Sequence, residues 1–293
     1  MQKDVTIVVP AHNEEAGIGQ VLADVKAAMA DTPHRFEIVV VDDSSTDRTA
    51  EIARESGVTL YQHSFRRGYG EALKTGIRIA RSNVIVTIDA DGTYPCDVIP
   101  TLLAKLDGVA MVVGARIGAN VNIPFLRRLP KLLLLRLANY LADAKIPDLN
   151  SGLRVFHRED ALRLFRLLPS GFSFSTTITL AMMQSGAGVE YVPIDYHKRF
   201  GKSKIHPILD TKRLLFQIVR MVIYVNPLKV FFPISIVLFV VGAAKLAFDI
   251  VQNQNVAELS VLLIMGGIHV LAIGLLADLV NRRAADDVAV RRP

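Results

Sequence analysis

Three short runs, VTIVV at residues 5–9, EIVVV at 37–41 and VIVTI at 84–88, are dominated by Val and Ile and show little apolar/polar alternation. A strand with one wet face alternates. A run that is apolar on both sides must be covered on both faces, which is how strands lie in a parallel sheet between two layers of helices. The segments between and after these runs fit that plan. Residues 16–30 carry apolar side chains at helical spacing (Ile18, Val21, Leu22, Val25, Met29), and residues 46–56, 71–81 and 98–106 are predicted as further helices. Residues 59–62 and 108–114 are predicted as two more strands. The expected architecture is α/β and doubly wound, with ligands at the C-terminal ends of the strands.

Each Val/Ile run ends in polar residues suited to such a site. The first leads into Pro10-Ala-His12-Asn-Glu14, the second into Asp42-Asp43, and the third into Asp89-Ala90-Asp91-Gly92. On an extended chain residues i and i+2 point the same way, so Asp89 and Asp91 face one spot beyond the strand end. Several carboxylates gathered there repel one another unless a metal ion, a base or a ribose engages them.

The 51% content of hydrophobic residues is high, and the excess lies after Asn226. Residues 230–251 and 259–277 are each about the ~20 residues that cross a bilayer, and the second run holds no Asp, Glu, Lys or Arg. Lys245 and Asp249 sit one helical turn apart in the first, placed to pair or to lie near the membrane surface. Gly242, Gly266, Gly267 and Gly274 would let two membrane helices approach closely. Residues 198–229 hold eight Lys or Arg against the single acid Asp210, and Arg282, Arg283, Arg291 and Arg292 follow the second run, whereas residues 249–258 hold none. By the positive-inside rule both termini and the large N-terminal domain are expected in the cytoplasm. The first fifteen residues lack an apolar run long enough for a signal peptide, and the lone Cys96 fits a reducing compartment. Beside two spans, a net charge of +6 points to an anionic lipid surface and not to nucleic acid. Residues 117–147 and 208–224 mix apolar and basic side chains and are expected to lie in the headgroup layer. The expected division is 1–207 catalytic, 208–228 interfacial, 229–281 a membrane hairpin and 282–293 a basic tail, with oligomeric state left open.

Four ordered motifs carry a resemblance. VVPAHNEE at 8–15, VVDDSSTD at 40–47, RGYGEALKTG at 67–76 and VTIDADG at 86–92 together resemble the family 2 glycosyltransferases. With Arg116, DLNSGLR at 148–154, HKRFGKSK at 197–204 and two terminal spans, the whole chain looks like their polyprenyl-phosphate sugar synthases, the group that includes dolichol-phosphate mannose synthase. The absence of Trp speaks against the long processive synthases, whose Gln-x-x-Arg-Trp element the chain lacks.

The resemblance implies a nucleotide-sugar-binding domain of the GT-A type with a C-terminal membrane domain of two transmembrane helices. It implies a membrane-bound inverting enzyme that moves one sugar from a nucleotide-sugar donor, UDP-linked or GDP-linked, to undecaprenyl or dolichyl phosphate with Mg2+ or Mn2+. Asp91 is then the expected metal ligand, with Thr93 where relatives often have Gln, and Asp89 faces the ribose or the sugar. Pro10, His12, Glu14, Ala90 and one or both of Asp42 and Asp43 are expected at the donor, although either of the last two could instead cap the next helix. Lys198, Arg199 and Lys204 look like a diphosphate clamp of open register. Arg116, Arg127, Arg128 and Lys131 are expected at the acceptor phosphate. Two alternatives are a transferase for hydroxyl acceptors, with Asp148 as base, and a non-catalytic membrane-tethered nucleotide-binding module.

Overall fold

The computed structural model describes residues 2–117, 139, 145–171, 173–184, 188–200, 226–253 and 257–289. Arg127, Arg128, Lys131 and Lys204, and the expected interfacial segments 118–138 and 208–224, lie outside the described residues. The chain divides into two compact units, Met1–Leu135 with Lys145–Leu214, and Arg136–Ala144 with Leu215–Pro293.

The first unit is built on a seven-stranded sheet. In chain order its elements are β1 (Asp4–Ala11), α1 (Ile18–Ala30), β2 (Arg35–Asp42), α2 (Thr49–Glu55), β3 (Thr59–Gln62), α3 (Tyr69–Ile79) and β4 (Val84–Thr87). There follow a short 3-10 turn (Cys96–Val98), α4 (Ile99–Ala104), β5 (Met111–Ala115), β6 (Arg154–His157), α5 (Arg158–Leu164), α6 (Phe174–Gln184) and β7 (Val189–Pro193). The sheet order is β3-β2-β1-β4-β6-β5-β7.

The Val/Ile runs are buried on both faces, as their composition requires. In β1, Val5, Ile7 and Val9 join the core under α1 and α4, while Val8 between them joins the core under α3 and α6. In β2, Ile38 and Val40 face the first core, and Val39 and Val41 pack with Ala72 of α3. Where α3 crosses β1 the helix carries Gly76, and a Cβ there would lie 2.2 Å from Val8 Cγ1.

One expectation is corrected. The sheet is mixed, because β6 runs antiparallel to both β4 and β5. Its four residues, Arg-Val-Phe-His, include the fully buried Arg154, whose guanidinium donates to Ser151 O (2.7 Å), Thr179 Oγ1 (2.6 Å) and Leu149 O (3.0 Å). These three partners are neutral and tie residues 149–151 to α6. A buried cation normally signals against a strand, and here it is satisfied by neutral acceptors. The other neighbouring pairs are parallel, and β5 is parallel to β4 through their shared antiparallel neighbour. Six strands therefore end at one edge.

The second unit contains α7 (Leu228–Asn253) and α8 (Glu258–Ala289). Each holds a stretch, of 25 and 24 residues, long and apolar enough to cross a membrane. They pack on each other where side chains are small: Gly242 lies against Leu263 and Ile264, Gly267 against Ser235 and Phe239, and Gly274 against Phe231. Near the connection Lys245 pairs with Asp249, whose other oxygen accepts from Ser260 Oγ at 2.6 Å.

Replacing Gly76 by Ala should lower the thermal stability of the purified chain. Overpacking against a central strand costs roughly 1–3 kcal/mol, more than the ~1 kcal/mol that Ala gains over Gly in a helix. An unchanged or higher melting temperature would contradict the close α3–β1 contact.

Candidate functional site

The site forms at the edge where β1, β2 and β4 end. The loops after β1 and β2 are joined by hydrogen bonds. Asn13 N donates to Ser45 Oγ (2.8 Å), Glu14 N to Thr49 Oγ1 (2.8 Å), and Thr46 N to Asn13 Oδ1 (2.7 Å). His12 Nδ1 lies 2.9 Å from Asp43 O. The helix α2 starts at Thr49, three residues later than expected; its N-cap position is Arg48, with no side-chain cap, and just before it Asp47 Oδ1 accepts from the amide and hydroxyl of Thr49.

Asp42 and Asp43 are buried and build this scaffold. Asp42 accepts from Ser45 and from Gln62 Nε2 (3.2 Å). Asp43 accepts from Arg67 N (2.7 Å), Gly68 N (2.8 Å) and His63 Nδ1 (2.8 Å), and His63 in turn meets Thr75 Oγ1 at 3.0 Å. Burial opposes the charge on Asp43, yet His63 and the two amides outweigh it and its pKa is lowered. Neither Asp caps α2.

Fixing residues 67 and 68 from below places Tyr69, whose hydroxyl donates to Asp89 Oδ1 at 2.8 Å. Behind the Asp89 carboxylate stands Gly152, where a Cβ would come within 2.7 Å of all three carboxyl atoms. Gly152 is held there by its amide bond to Tyr94 Oη (2.6 Å). Burial first, and the charge of Asp91 second, push the Asp89 pKa up to about 7.

Asp91 Oδ1 accepts from Thr93 Oγ1 at 2.6 Å and from Thr93 N at 3.2 Å. Thr93, expected beside Asp91 at a metal, is buried and orients the acid. Asp91 Oδ2 faces Arg199 Nη1 at 3.5 Å, and the same guanidinium pairs with Glu14. The segment bearing Arg199 follows β7 and is laid along the Asp-x-Asp turn, with His197 N bonded to Thr93 O (2.9 Å) and Phe200 N to Asp91 O (3.0 Å). Gly92 makes this possible, since its φ is +72° and a Cβ would meet the Phe200 ring at 2.2 Å. Of the two clamp candidates it is Arg199 that reaches the acids; the neighbouring Lys198 is exposed. Among the described residues the buried Nε of Arg199 has no hydrogen-bond partner.

Arg116, after β5, makes a bidentate pair with buried Asp148: Nε to Oδ2 at 2.7 Å and Nη2 to Oδ1 at 2.8 Å, with its own amide also on Oδ2 at 3.0 Å. Its guanidinium lies 5.1 Å from the Tyr196 ring centre. Tyr69, His63, Gly152 and Arg154 were not singled out from sequence. The RGYG and SGLR motifs contained three of them, but Tyr69 meets Asp89 across 20 residues, Gly152 meets Tyr94 across 58 and Arg154 meets Thr179 across 25, and no local pattern marks these pairs.

Glu14 and Asp91 thus share the arginine at position 199, with Asp89 close to Asp91, an acid-rich centre of oxygen donors fit for a divalent ion. Among the described residues no group of three or more His, Cys, Asp or Glu could hold a metal alone. That matches an ion held by one or two carboxylates plus substrate phosphates. The same geometry gives a pH dependence. With its folded pKa raised from 3.8 to about 7, Asp89 keeps a proton that the unfolded chain has lost. Ligand-free stability should therefore fall as pH rises through that window. The Asp91→Asn variant, lacking the repelling charge, should show a shallower fall in melting temperature, and an unchanged slope would argue against the coupling. Gly152→Ala should displace the Asp89 carboxylate and cut turnover at least about tenfold, since misplacement on the order of 1 Å suffices. Retained turnover would show that Asp89 is not held in a required position.

Comparison with known proteins gives the family of the chain. The profile of Glycosyl transferase family 2 matches residues 6–165, more than half the chain, and that of the GtrB C-terminal hairpin matches residues 226–282. The chain is 35% identical over 206 residues to a dolichyl-phosphate hexose transferase of Haloferax volcanii, covering 70% of this chain and 87% of that one. It is 24% identical over 300 residues to the dodecaprenyl-phosphate galacturonate synthase of Rhizobium johnstonii, covering 95% and 88%. The fold is shared with glucosyl-3-phosphoglycerate synthase of Mycobacterium tuberculosis, solved with Mn2+, UDP and phosphoglyceric acid (TM-score 0.59, 21% identity, 75% and 78% covered). The chain belongs to glycosyl transferase family 2, has the GT-A fold, and groups by its relatives and its hairpin with the polyprenyl-phosphate sugar synthases.

Proposed function

We propose that the chain is a membrane-bound inverting glycosyltransferase that moves one sugar from a nucleotide-sugar donor to a polyprenyl phosphate. The observation that carries this reading is the pairing of Glu14 and Asp91 with Arg199 beside the raised carboxyl of Asp89, where one nitrogen of that arginine has no partner among the described residues. A nucleoside diphosphate with its divalent ion supplies what such a centre lacks: positive charge for the acids and anionic oxygen for the arginine. The names of the relatives, a dolichyl-phosphate hexose transferase and a dodecaprenyl-phosphate galacturonate synthase, support the choice of lipid phosphate as acceptor. The structural neighbour's complex with Mn2+ and UDP supports Mg2+ or Mn2+ as cofactor.

Asp91 would hold the ion, which supplies Lewis-acid charge to the departing diphosphate. Thr93 fixes the rotamer of Asp91. Asp89, set by Tyr69 and Gly152, addresses the ribose or the sugar. Pro10, His12, Glu14 and Ala90 border the donor, over the floor that Asp42 and Asp43 build. Arg199, with Lys198 beside it, moves from the acids to the diphosphate when the donor binds. Arg116, held by Asp148 and Tyr196, offers its remaining N–H groups to the acceptor phosphate.

No general base is required, because a phosphate monoester with second pKa about 6 is mostly dianionic at neutral pH and is already a nucleophile. The task is to bring two anions together, and the arginines do it. In-line attack on the anomeric carbon inverts it. A hydroxyl acceptor would need a base, and Asp148, the expected one, is bound on both oxygens by Arg116. The basic flanks of the hairpin put the reaction on the cytoplasmic face of the membrane.

Purified protein given UDP-hexoses, UDP-N-acetylhexosamines and GDP-mannose in turn, with undecaprenyl or dolichyl phosphate and Mn2+, should carry label from one donor into the lipid phase. Asp91→Asn should reduce that transfer at least about a hundredfold, the scale of losing a charge-stabilising group. Failure with every donor would favour the non-catalytic module, and product formed on a hydroxylated acceptor without lipid phosphate would favour the alternative transferase.

A further inference from the structure

We infer that the strand-end edge of the first unit is itself a membrane-contacting surface, in which the tips of three loops enter an anionic bilayer beside the site. The inference rests on the proposed lipid acceptor, and it identifies the part of the catalytic unit that meets the lipid.

Among the described residues of that unit, four large apolar side chains are the most exposed: Phe65 (65%), Ile117 (50%), Leu167 (50%) and Phe200 (46%). Leu167 lies on the connection between α5 and α6. The other three each follow a strand, namely β3, β5 and β7. Those strands run parallel to β1, β2 and β4, so the three tips emerge at the edge that holds Asp89 and Asp91. Each tip is next to a basic residue: Phe65 to the exposed Arg66 and to Arg67, which pairs with Glu71; Phe200 to Arg199, held by Glu14 and Asp91, with the exposed Lys198 one residue before it; and Ile117 to Arg116, held by Asp148. Exposed apolar residues scattered singly mean nothing. Three on one edge, each next to a basic residue, are the composition of a headgroup-layer contact.

Their spacing and rigidity agree. In the order β3-β2-β1-β4-β6-β5-β7 the strands that lead to Phe65 and Ile117 are five spacings or roughly 24 Å apart, and Phe200 lies between them against the turn after β4. Such a spread suits a flat surface better than a small ligand. The Phe65 tip is pinned at both ends, by His63 N on Asp42 O (2.9 Å) and by Arg67 N and Gly68 N on Asp43. Phe200 is pinned by its amide on Asp91 O. Of the neighbouring loops' acids, exposed Glu15 and half-buried Asp47 are engaged by backbone amides. Arg66 and Lys198 are exposed and face outward charge-complementary to anionic lipid.

The chain contains no Trp, so Phe65→Trp and Ile117→Trp are each single-fluorophore reporters in the full-length protein. Both would be reconstituted in nanodiscs of phosphatidylcholine, with and without phosphatidylglycerol, using ordinary or brominated acyl chains. The expected result is a blue-shifted emission at both positions, quenched by brominated chains, and more strongly in the anionic discs. Arg66→Glu should reduce the quenching of the Trp at 65. Water-like emission without bromine quenching at either position, or quenching at one alone, would overturn the three-tip surface. Quenching of the Trp at 65 by added UDP or GDP but not by lipid would assign that loop to the donor and also overturn it. Sugar transfer measured in the same discs separates the two claims: transfer without bromine quenching sinks the surface alone, whereas bromine quenching without transfer from any donor sinks the proposed reaction alone.

Discussion

Charge crowding at the end of a buried sheet is the constraint on which the rest depends. Glu14, Asp89 and Asp91 converge where β1 and β4 stop, with Arg199 as the cation that touches two of them. Burial and mutual repulsion hold Asp89 part-protonated near neutrality. A protein keeps such an arrangement, at a cost in stability, when a ligand relieves it. The ligand indicated carries both signs, cationic toward the acids and anionic toward Arg199, as a metal-bound sugar nucleotide does.

Everything around the centre holds it still. Valines and isoleucines covered on both faces give strands that cannot slip in register without exposing one face. Below the acids, Asp43, held by His63, accepts from the amides of Arg67 and Gly68 and through them sets the tyrosine that aims Asp89. Arg154, buried among carbonyls and a threonine, does the same for the chain from Leu149 to Gly152. The segment after β7 is attached to the Asp-x-Asp turn by two backbone hydrogen bonds and one aromatic contact, which brings Arg199 to the acids.

Much of this was legible in the sequence, for physical reasons that can be named. Runs such as VIVTI admit one burial pattern, the Asp-x-Asp spacing fixes a common direction, and the two long apolar runs have one length scale to match. The family motifs added the order of the loops. Contacts that depend on distant residues were not legible. Nothing local says that Asp148 will bind Arg116 across 32 residues or that His63 is the internal partner of Asp43. The antiparallel β6 was missed because four residues containing an arginine do not read as a central strand. The start of α2 was misplaced because residues 46–48 bond to the loop at residues 13–15 and stay outside the helix.

The most direct test of the central claim is Mn2+ binding followed by electron paramagnetic resonance, with UDP or GDP present. The account predicts a bound-ion signal in the native chain that is lost in Asp91→Asn and kept in Asp43→Asn if that variant folds. Equal binding by the native and Asp91→Asn proteins would mean that the acids at the end of β4 do not hold the ion, and the account of the site would fail with it.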